Sequence, residues 1–257
     1  MTKPFAIRAA MSAAMVLSAA AAFAQAGETM TWIVDGETRK AIVYAPATPA
    51  GAKAPLVLSF HGRGDTMDEF QFTEMHTAWP QAIVAYFQGL PDGERASPGW
   101  QTQRGQNGDR DLNLVDAALA DLRAKFPVDD SRIYATGFSN GGGFTYLLWE
   151  QRPEIFAAFA PVGTRARPSL KPKQPKPIVH VAGMRDLQVR FLDQLDAVEM
   201  AKRVNGVMDM ESACGNGCTI FPGSAPVMLW VHPGGHVYPT QTSARIAKFL
   251  REHKLKR

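Results

Sequence analysis

The sequence predicts an α/β domain, a mainly parallel sheet with helices on both faces. Three observations carry this. Short apolar runs of strand length alternate with helical patterns from about residue 55 onward. The chain has neither an internal repeat nor a Pro/Ser-rich linker. The polar candidates for chemistry fall at strand ends, where open α/β sheets bind ligands. With 257 residues the chain is long enough for one domain with a substantial core, and 46% hydrophobic and 20% charged residues suit a water-exposed globular surface around it.

Residues 1–26 read as a secretory signal. Lys3 and Arg8 form a positive start, Ala9–Ala22 an apolar stretch, and Ala22-Phe23-Ala24 and Ala24-Gln25-Ala26 offer small-residue cleavage sites. The apolar stretch is too short and alanine-rich for a stable membrane insertion. The expectation is a catalytic domain over 27–257, exported to the periplasm or the medium. Losing Lys3 and Arg8 lowers the net charge of +4 by two, too small a surplus to argue for nucleic acid as a partner.

The elements follow in order. Thr31–Val34 and Lys40–Tyr44 read as strands joined by the Asp35-Gly36 turn signal. Residues 46–55 are a Pro/Ala/Gly loop. Pro55–Phe60 is a buried strand ending at His61-Gly62, and Ala82–Phe87 another ending at Gln88-Gly89. Residues 90–110 form a long polar, Gly-rich loop. Asp111–Phe126 has Leu112, Val115, Leu119, Leu122 and Phe126 on one helical face; Asp109 or Asp111 can cap its start, and Pro127 closes it. The acidic run Asp109, Asp111, Asn113 lacks the glycine and distal glutamate of a calcium loop and reads as capping.

Arg132–Ala135 is a strand, followed by the serine turn and a helix to about Glu150. Pro177–Ala182 is a strand, Leu192–Asn205 a helix, Pro226–Val231 the last strand and Ser243–His253 the closing helix. Cys214 and Cys218 enclose a flexible Gly215-Asn216-Gly217 spacer and read as a disulfide in an oxidising compartment, with no second Cys/His pair to make a metal site. Trp79 and Trp230 read as core, and the tail Lys254–Arg257 as a solvated helix end.

The segment Arg132–Gly143 is the most informative. It runs from a buried strand through Gly137-Phe138-Ser139-Asn140-Gly141 into a helix, the context in which a serine sits on a sharp turn and becomes a nucleophile. A serine hydroxyl needs a base, and the base an orienting acid. His236 follows a strand on the loop Pro233-Gly234-Gly235 and is the expected base. His232 competes, whereas His180 sits in an apolar strand and His253 in the tail helix. Asp186, just past the strand ending at Gly183, is the expected acid; Asp193 and Asp196 lie in a helix and read as solvated. The oxyanion hole is expected from the amides of Asn140 and Arg63, with Gly62 or Gly64 as alternatives to Arg63, and His61 as a brace for that loop. No metal is implied, since no third ligand joins His232 and His236.

Together these residues resemble the secreted polyhydroxybutyrate depolymerases and feruloyl or acetylxylan esterases, from about residue 30 to the end. The matching pieces are His61-Gly62, Gly99-Trp100-Gln101, Val128–Gly137, Phe138-Ser139-Asn140-Gly141-Gly142, Phe156–Val162, Asp186 and Gly235-His236-Val237-Tyr238-Pro239. The resemblance implies an α/β-hydrolase fold, and the 47 residues (186 − 139) from Ser139 to Asp186 leave room for only a small or absent lid. It also implies ester hydrolysis through an acyl-enzyme without a cofactor, on small esters, polyesters or plant-polymer esters. Tyr238 stands where the family often has Trp, and Met184, Arg185 and Leu187 replace the usual neighbours of the aspartate. Loop position suggests Trp100 for the acyl pocket. A serine peptidase or acyltransferase of the same fold, and a non-catalytic binding protein on a hydrolase scaffold, are the rival readings.

Overall fold

The computed structural model describes residues 26–46, 51–91, 96–208 and 211–255, so the signal reading and the last two residues of the basic tail lie outside the described residues. In chain order the strands and helices are β1 (Glu28–Val34), β2 (Glu37–Tyr44), β3 (Ala54–Phe60), α1 (Met67–Phe70), α2 (Met75–Ala78), β4 (Ile83–Phe87), β5 (Leu90–Pro91) and β6 (Pro98–Gly99). Then come α3 (Arg110–Lys125), β7 (Val128–Phe138), α4 (Asn140–Gln151), β8 (Ala158–Val162), β9 (Ile178–Gly183) and α5 (Phe191–Asn205). The chain closes with β10 (Ser212–Gly215), β11 (Cys218–Phe221), β12 (Val227–His232) and α6 (Thr242–Arg251).

One sheet holds ten strands in the order β1-β2-β4-β3-β7-β8-β9-β12-β11-β10. The central run β4-β3-β7-β8-β9-β12 is parallel, and both flanks are antiparallel. The β1–β2 hairpin turns at Asp35 and Gly36, with φ of 53° and 80°. Positive φ at both positions is what a two-residue turn matching the strand twist requires.

Strand side chains alternate between two cores. Leu56, Leu58 and Phe60 of β3 and Ile83, Ala85 and Phe87 of β4 join one cluster with α3, α4 and α5. Val57, Val84 and Tyr86 join the other with α1, α2 and α6. This period of two, with both faces covered, is why these strands read as continuous apolar runs. Trp79 and Trp230 lie in the second core, as expected.

Two local expectations change. Neither Asp109 nor Asp111 caps α3. The carbonyl oxygen of the Gln101 side chain accepts from the amides of Asp111 and Leu112 at 3.0 and 3.3 Å. Asp111 is already committed to a buried ion pair, its Oδ1 accepting from Arg39 at 2.7 Å while its Oδ2 accepts from the Gln101 amide at 2.8 Å. The strand β8, Ala-Phe-Ala-Pro-Val, has two Ala and a Pro among its five residues, a weak strand signal, and is held by parallel neighbours on both sides.

Cys214 and Cys218 are joined as a disulfide that closes the β10–β11 hairpin at the sheet edge. Between β8 and β9, residues 163–177 form no helix or strand, which leaves no separate lid element there. No helix among the described residues is long and apolar enough to cross a membrane.

The Arg39–Asp111 pair is fully buried, whereas Arg152–Asp116 is solvent-exposed. Removing one partner of a buried pair strands a charge, while an exposed pair contributes little. Asp111→Ala is expected to lower unfolding free energy by about 3–5 kcal/mol and Asp116→Ala by less than about 1 kcal/mol, measured by urea denaturation at neutral pH.

Candidate active site

The site is built at the carboxyl ends of β3, β7, β9 and β12. At the end of β7 the chain turns sharply into α4, and Ser139 takes φ 52° and ψ −113°, a region that side chains other than glycine rarely occupy. The flanking glycines make the turn possible. A Cβ on Gly137 would lie 2.4 Å from the Gly141 carbonyl, and one on Gly141 would lie 2.2 Å from the Phe60 carbonyl oxygen. The helix start therefore presses directly on the end of β3. The Ser139 amide donates to Val162 O at 2.8 Å and its carbonyl accepts from Gly143 at 3.0 Å, which holds the strained residue from both sides.

Ser139, His236 and Asp186 come together. His236 Nε2 lies 2.9 Å from Ser139 Oγ, and His236 Nδ1 lies 2.7 Å from Asp186 Oδ2. Asp186 is buried, and its Oδ1 accepts from the amides of Gln188 and Val189, both at 2.9 Å. Its Oδ2 also accepts from Gln194 Nε2 at 3.1 Å. A carboxylate fixed in direction by several donors accepts from Nδ1, which leaves Nε2 facing the serine as an acceptor.

The acid and base loops are tied to each other. Met184 donates to His232 O at 2.9 Å, Arg185 N to Gly234 O at 3.0 Å and Arg185 Nε to Pro233 O at 2.6 Å. His232, the competing base, is buried in this junction, and its Nδ1 accepts from Gly234 N at 3.2 Å. It shapes the loop that carries His236 instead of reaching Ser139.

The first amide of α4 belongs to Asn140 and has no acceptor within the helix. The loop after β3 supplies the other expected donor, Arg63. His61 orders that loop. Its Nε2 accepts from Gly89 N at 2.9 Å, so its Nδ1 carries the proton and donates to Gly62 O at 2.6 Å. Gripping the Gly62 carbonyl fixes the Gly62–Arg63 peptide plane and hence the direction of the Arg63 N–H. Burial keeps the His61 ring below its ordinary pKa, in the neutral form this arrangement needs.

Similarity to known proteins agrees with this architecture. Residues 83–164 match the family model described as the prolyl oligopeptidase family. An acetyl xylan esterase from Aspergillus awamori superposes with TM-score 0.67 at 13% identity, over 88% of this chain and 99% of that one. A thermostable esterase superposes with TM-score 0.63 at 17% identity, over 89% of this chain and 63% of that one. The chain has the α/β-hydrolase fold.

Among sequence relatives, feruloyl esterase B of Piromyces equi is 30% identical over 200 residues, 72% of this chain and 37% of that protein. A bifunctional acetylxylan esterase/xylanase of Neocallimastix patriciarum is 32% identical over 152 residues, 59% of this chain and 22% of that protein. The chain thus spans well under half the length of these curated relatives.

Trp100 is not where loop position suggested. Its ring is fully buried, stacked on Phe144 and edge-on to Phe60, and its Nε1 donates to His61 O at 2.9 Å. It braces the Ser139 turn from below and offers no surface to an acyl group. The Asn140 side chain clasps the same loop, accepting from Trp100 N at 2.7 Å and donating to Trp100 O at 3.0 Å. Sequence reasoning used only the Asn140 amide and had no signal for this clasp.

The wall beside the triad is instead Phe138, its ring 4.8 Å from that of His236 and edge-on to Tyr238. Both line a cavity of about 330 Å³ with Phe70, Phe72, Asp65 and Glu69. Partial burial pushes the Asp65 carboxyl up to about 6.

Two predictions follow from this geometry. Trp100→Ala is expected to cost about 3–5 kcal/mol of stability and to leave the ranking among ester substrates unchanged, read from denaturant midpoints and a substrate panel. Burial also holds His61 below its ordinary value and His180 down at about 4. An unfolded histidine takes up its proton near pH 6.5, so the unfolded chain binds more protons than the folded one below that pH. Folding stability is therefore expected to fall as pH drops from about 6.5 towards 4, measured by urea denaturation at each pH.

Proposed function

We propose that this chain is an exported serine carboxylic-ester hydrolase, working through Ser139, His236 and Asp186. The observation that carries this reading is the continuous contact from Asp186 Oδ2 through the imidazole to Ser139 Oγ, at 2.7 and 2.9 Å, on a strained turn. His236 Nε2 takes the hydroxyl proton as Ser139 Oγ bonds the ester carbonyl carbon. The negative oxygen that forms is held by the amides of Asn140 and Arg63. His236 passes its proton to the departing alkoxide, leaving an acyl-enzyme. Water then gives a proton to His236 and attacks the acyl carbon. Collapse releases the acid and returns the proton to Ser139. Asp186 stays ionised throughout and stabilises the imidazolium.

The proposed substrates are feruloyl or acetyl esters and hydroxyalkanoate esters of the polyhydroxybutyrate type. The relatives named as feruloyl and acetylxylan esterases support the first group. The aromatic cavity lined by Phe70, Phe72, Phe138 and Tyr238 also suits a planar ring. Export is supported by the Cys214–Cys218 disulfide, which persists in oxidising compartments. The match of residues 83–164 to a peptidase family model favours amide hydrolysis as a second reading.

Purified wild type is expected to hydrolyse p-nitrophenyl acetate, butyrate and octanoate, and Ser139→Ala to lose ~10³-fold or more in kcat/KM. Peptidyl p-nitroanilides are expected to turn over far more slowly than esters. Equal rates in wild type and Ser139→Ala would overturn the nucleophile, and faster amide turnover would favour the peptidase.

A further inference from the structure

A second cavity, of about 610 Å³, lies between the β8–β9 connection and α5, and none of the reacting groups lines it. Its origin is in how that connection is fastened. The middle of the connection is bonded away from α5. Arg167 Nε donates to Thr102 Oγ1, Lys171 N donates to Glu150 Oε1 at 2.6 Å, and Gln174 O accepts from Trp149 Nε1 at 2.8 Å. Polar ties to α5 stand at the two ends. Arg165 lies 3.9 Å from Asp193 at one end. At the other, Asn205 accepts from Lys176 N at 3.0 Å and donates to Lys176 O at 2.7 Å. Between these ties no hydrogen bond or ion pair joins the connection to α5 among the described residues, and the gap is the cavity. From Asp193 to Asn205 it follows roughly 18 Å of helix.

The groove is apolar below and cationic above. Asp193, Ala197, Met200 and Val204 recur at helical steps and present one side of α5 to it. Leu170 and Ala197 are buried in its floor, and Met200 and Val204 are half-buried. Arg165, Arg167, Lys171 and Arg203 are exposed along its rim. Against these four cations stand two acids, Asp193 and Asp196. Asp193 is already answered by Arg190 at 2.8 Å, which leaves Asp196 as the remaining acid. Lys171 and Arg203 have no acidic partner among the described residues.

This distribution selects the ligand. A neutral apolar molecule would leave the unpartnered cations unused, and a small polar anion would leave the apolar floor wet. A molecule with one anionic head and an apolar body satisfies both, through charge-assisted hydrogen bonds to the head and burial of the body. The volume falls in the range of about 300–1,000 Å³ that ligand sites occupy. We infer that the groove between the β8–β9 connection and α5 binds an amphiphilic monoanion of the fatty-acid type, its head at Lys171 and Arg203 and its body along Leu170, Ala197, Met200 and Val204. The site is separate from Ser139, and the inference stands whether or not the triad reading holds.

The test titrates sodium octanoate into the full chain by isothermal calorimetry at neutral pH, with octanamide and butyrate as controls. Wild type and Ser139→Ala are expected to show the same single saturable site. Lys171→Gln and Arg203→Gln, both changes to exposed side chains, are each expected to weaken it about tenfold while p-nitrophenyl acetate turnover stays unchanged. Met200→Glu, which sets an anion on the floor, is expected to abolish binding. Octanamide, which lacks the charge, and butyrate, which lacks the body, are expected to bind at least about tenfold more weakly than octanoate. The absence of saturable octanoate binding would overturn the inference, as would equal binding of octanamide. An affinity that the three groove variants leave unmoved, or competitive inhibition of p-nitrophenyl acetate hydrolysis with a constant equal to the calorimetric Kd, would place the ligand beside Ser139 and overturn it too. Loss of the esterase reading, through turnover that does not depend on Ser139, leaves the calorimetric result intact.

Discussion

The close approach of α4 to the end of β3 is the constraint on which the site depends. Gly141 lies so near the Phe60 and His61 carbonyls that no side chain fits between them. That contact forces the chain to leave β7 through a sharp turn, and Ser139 bears the strain. The same contact puts the first amides of α4 beside the loop after β3, so Ser139 and the proposed oxyanion donors are positioned by one packing event. A strained residue persists only when its surroundings over-determine it. Here the surroundings are the Val162 and Gly143 hydrogen bonds, the Asn140 clasp on Trp100 and the buried ring beneath it.

The polar groups of the interior serve as ties between loops that are distant in sequence. Asp111 joins β2, the Gln101 loop and the start of α3. His61 joins the ends of β3 and β4, and the acid and base loops are bonded to each other before either meets Ser139. Each tie is hydrogen-bonded on more than one side, which is the condition under which burying a polar group is tolerated. The outcome is a set of loops with few independent motions, suited to chemistry that tolerates errors of well under an ångström.

The legible and illegible parts of the site divide on physical grounds. Ser139 was legible because its turn is local and needs glycines at fixed offsets. Asp186 and His236 were legible because side chains at the ends of parallel strands converge on one sheet edge. The element pattern was legible because buried parallel strands are apolar throughout, and β8 escaped it because Ala and Pro carry little strand signal. Trp100 was misplaced because loop position says nothing about which way a ring points. The capping of α3 was misassigned because Asp111 answers to Arg39, 72 positions upstream, and the cap comes from Gln101 across a loop. The hydrogen bond from Gln194 to Asp186 left no sequence signal at all, since it depends on which side of α5 meets the Asp186 loop.

The Cys214–Cys218 link has a consequence for solubility rather than for chemistry. It staples a hairpin whose outer strand β10 is exposed along its whole length and forms one margin of the ten-stranded sheet. Margins of this kind invite pairing with another chain unless they are short, twisted or blocked. Here the cover is four residues long, and its attachment is covalent at the turn. Under reducing conditions β10 can peel away and bare the backbone of β11, while Ser139, Asp186 and His236, carried on other strands and loops, keep their arrangement. Loss of that one bond is therefore expected to loosen the margin of the sheet and favour pairing with another chain, without touching the elements that carry Ser139, Asp186 and His236.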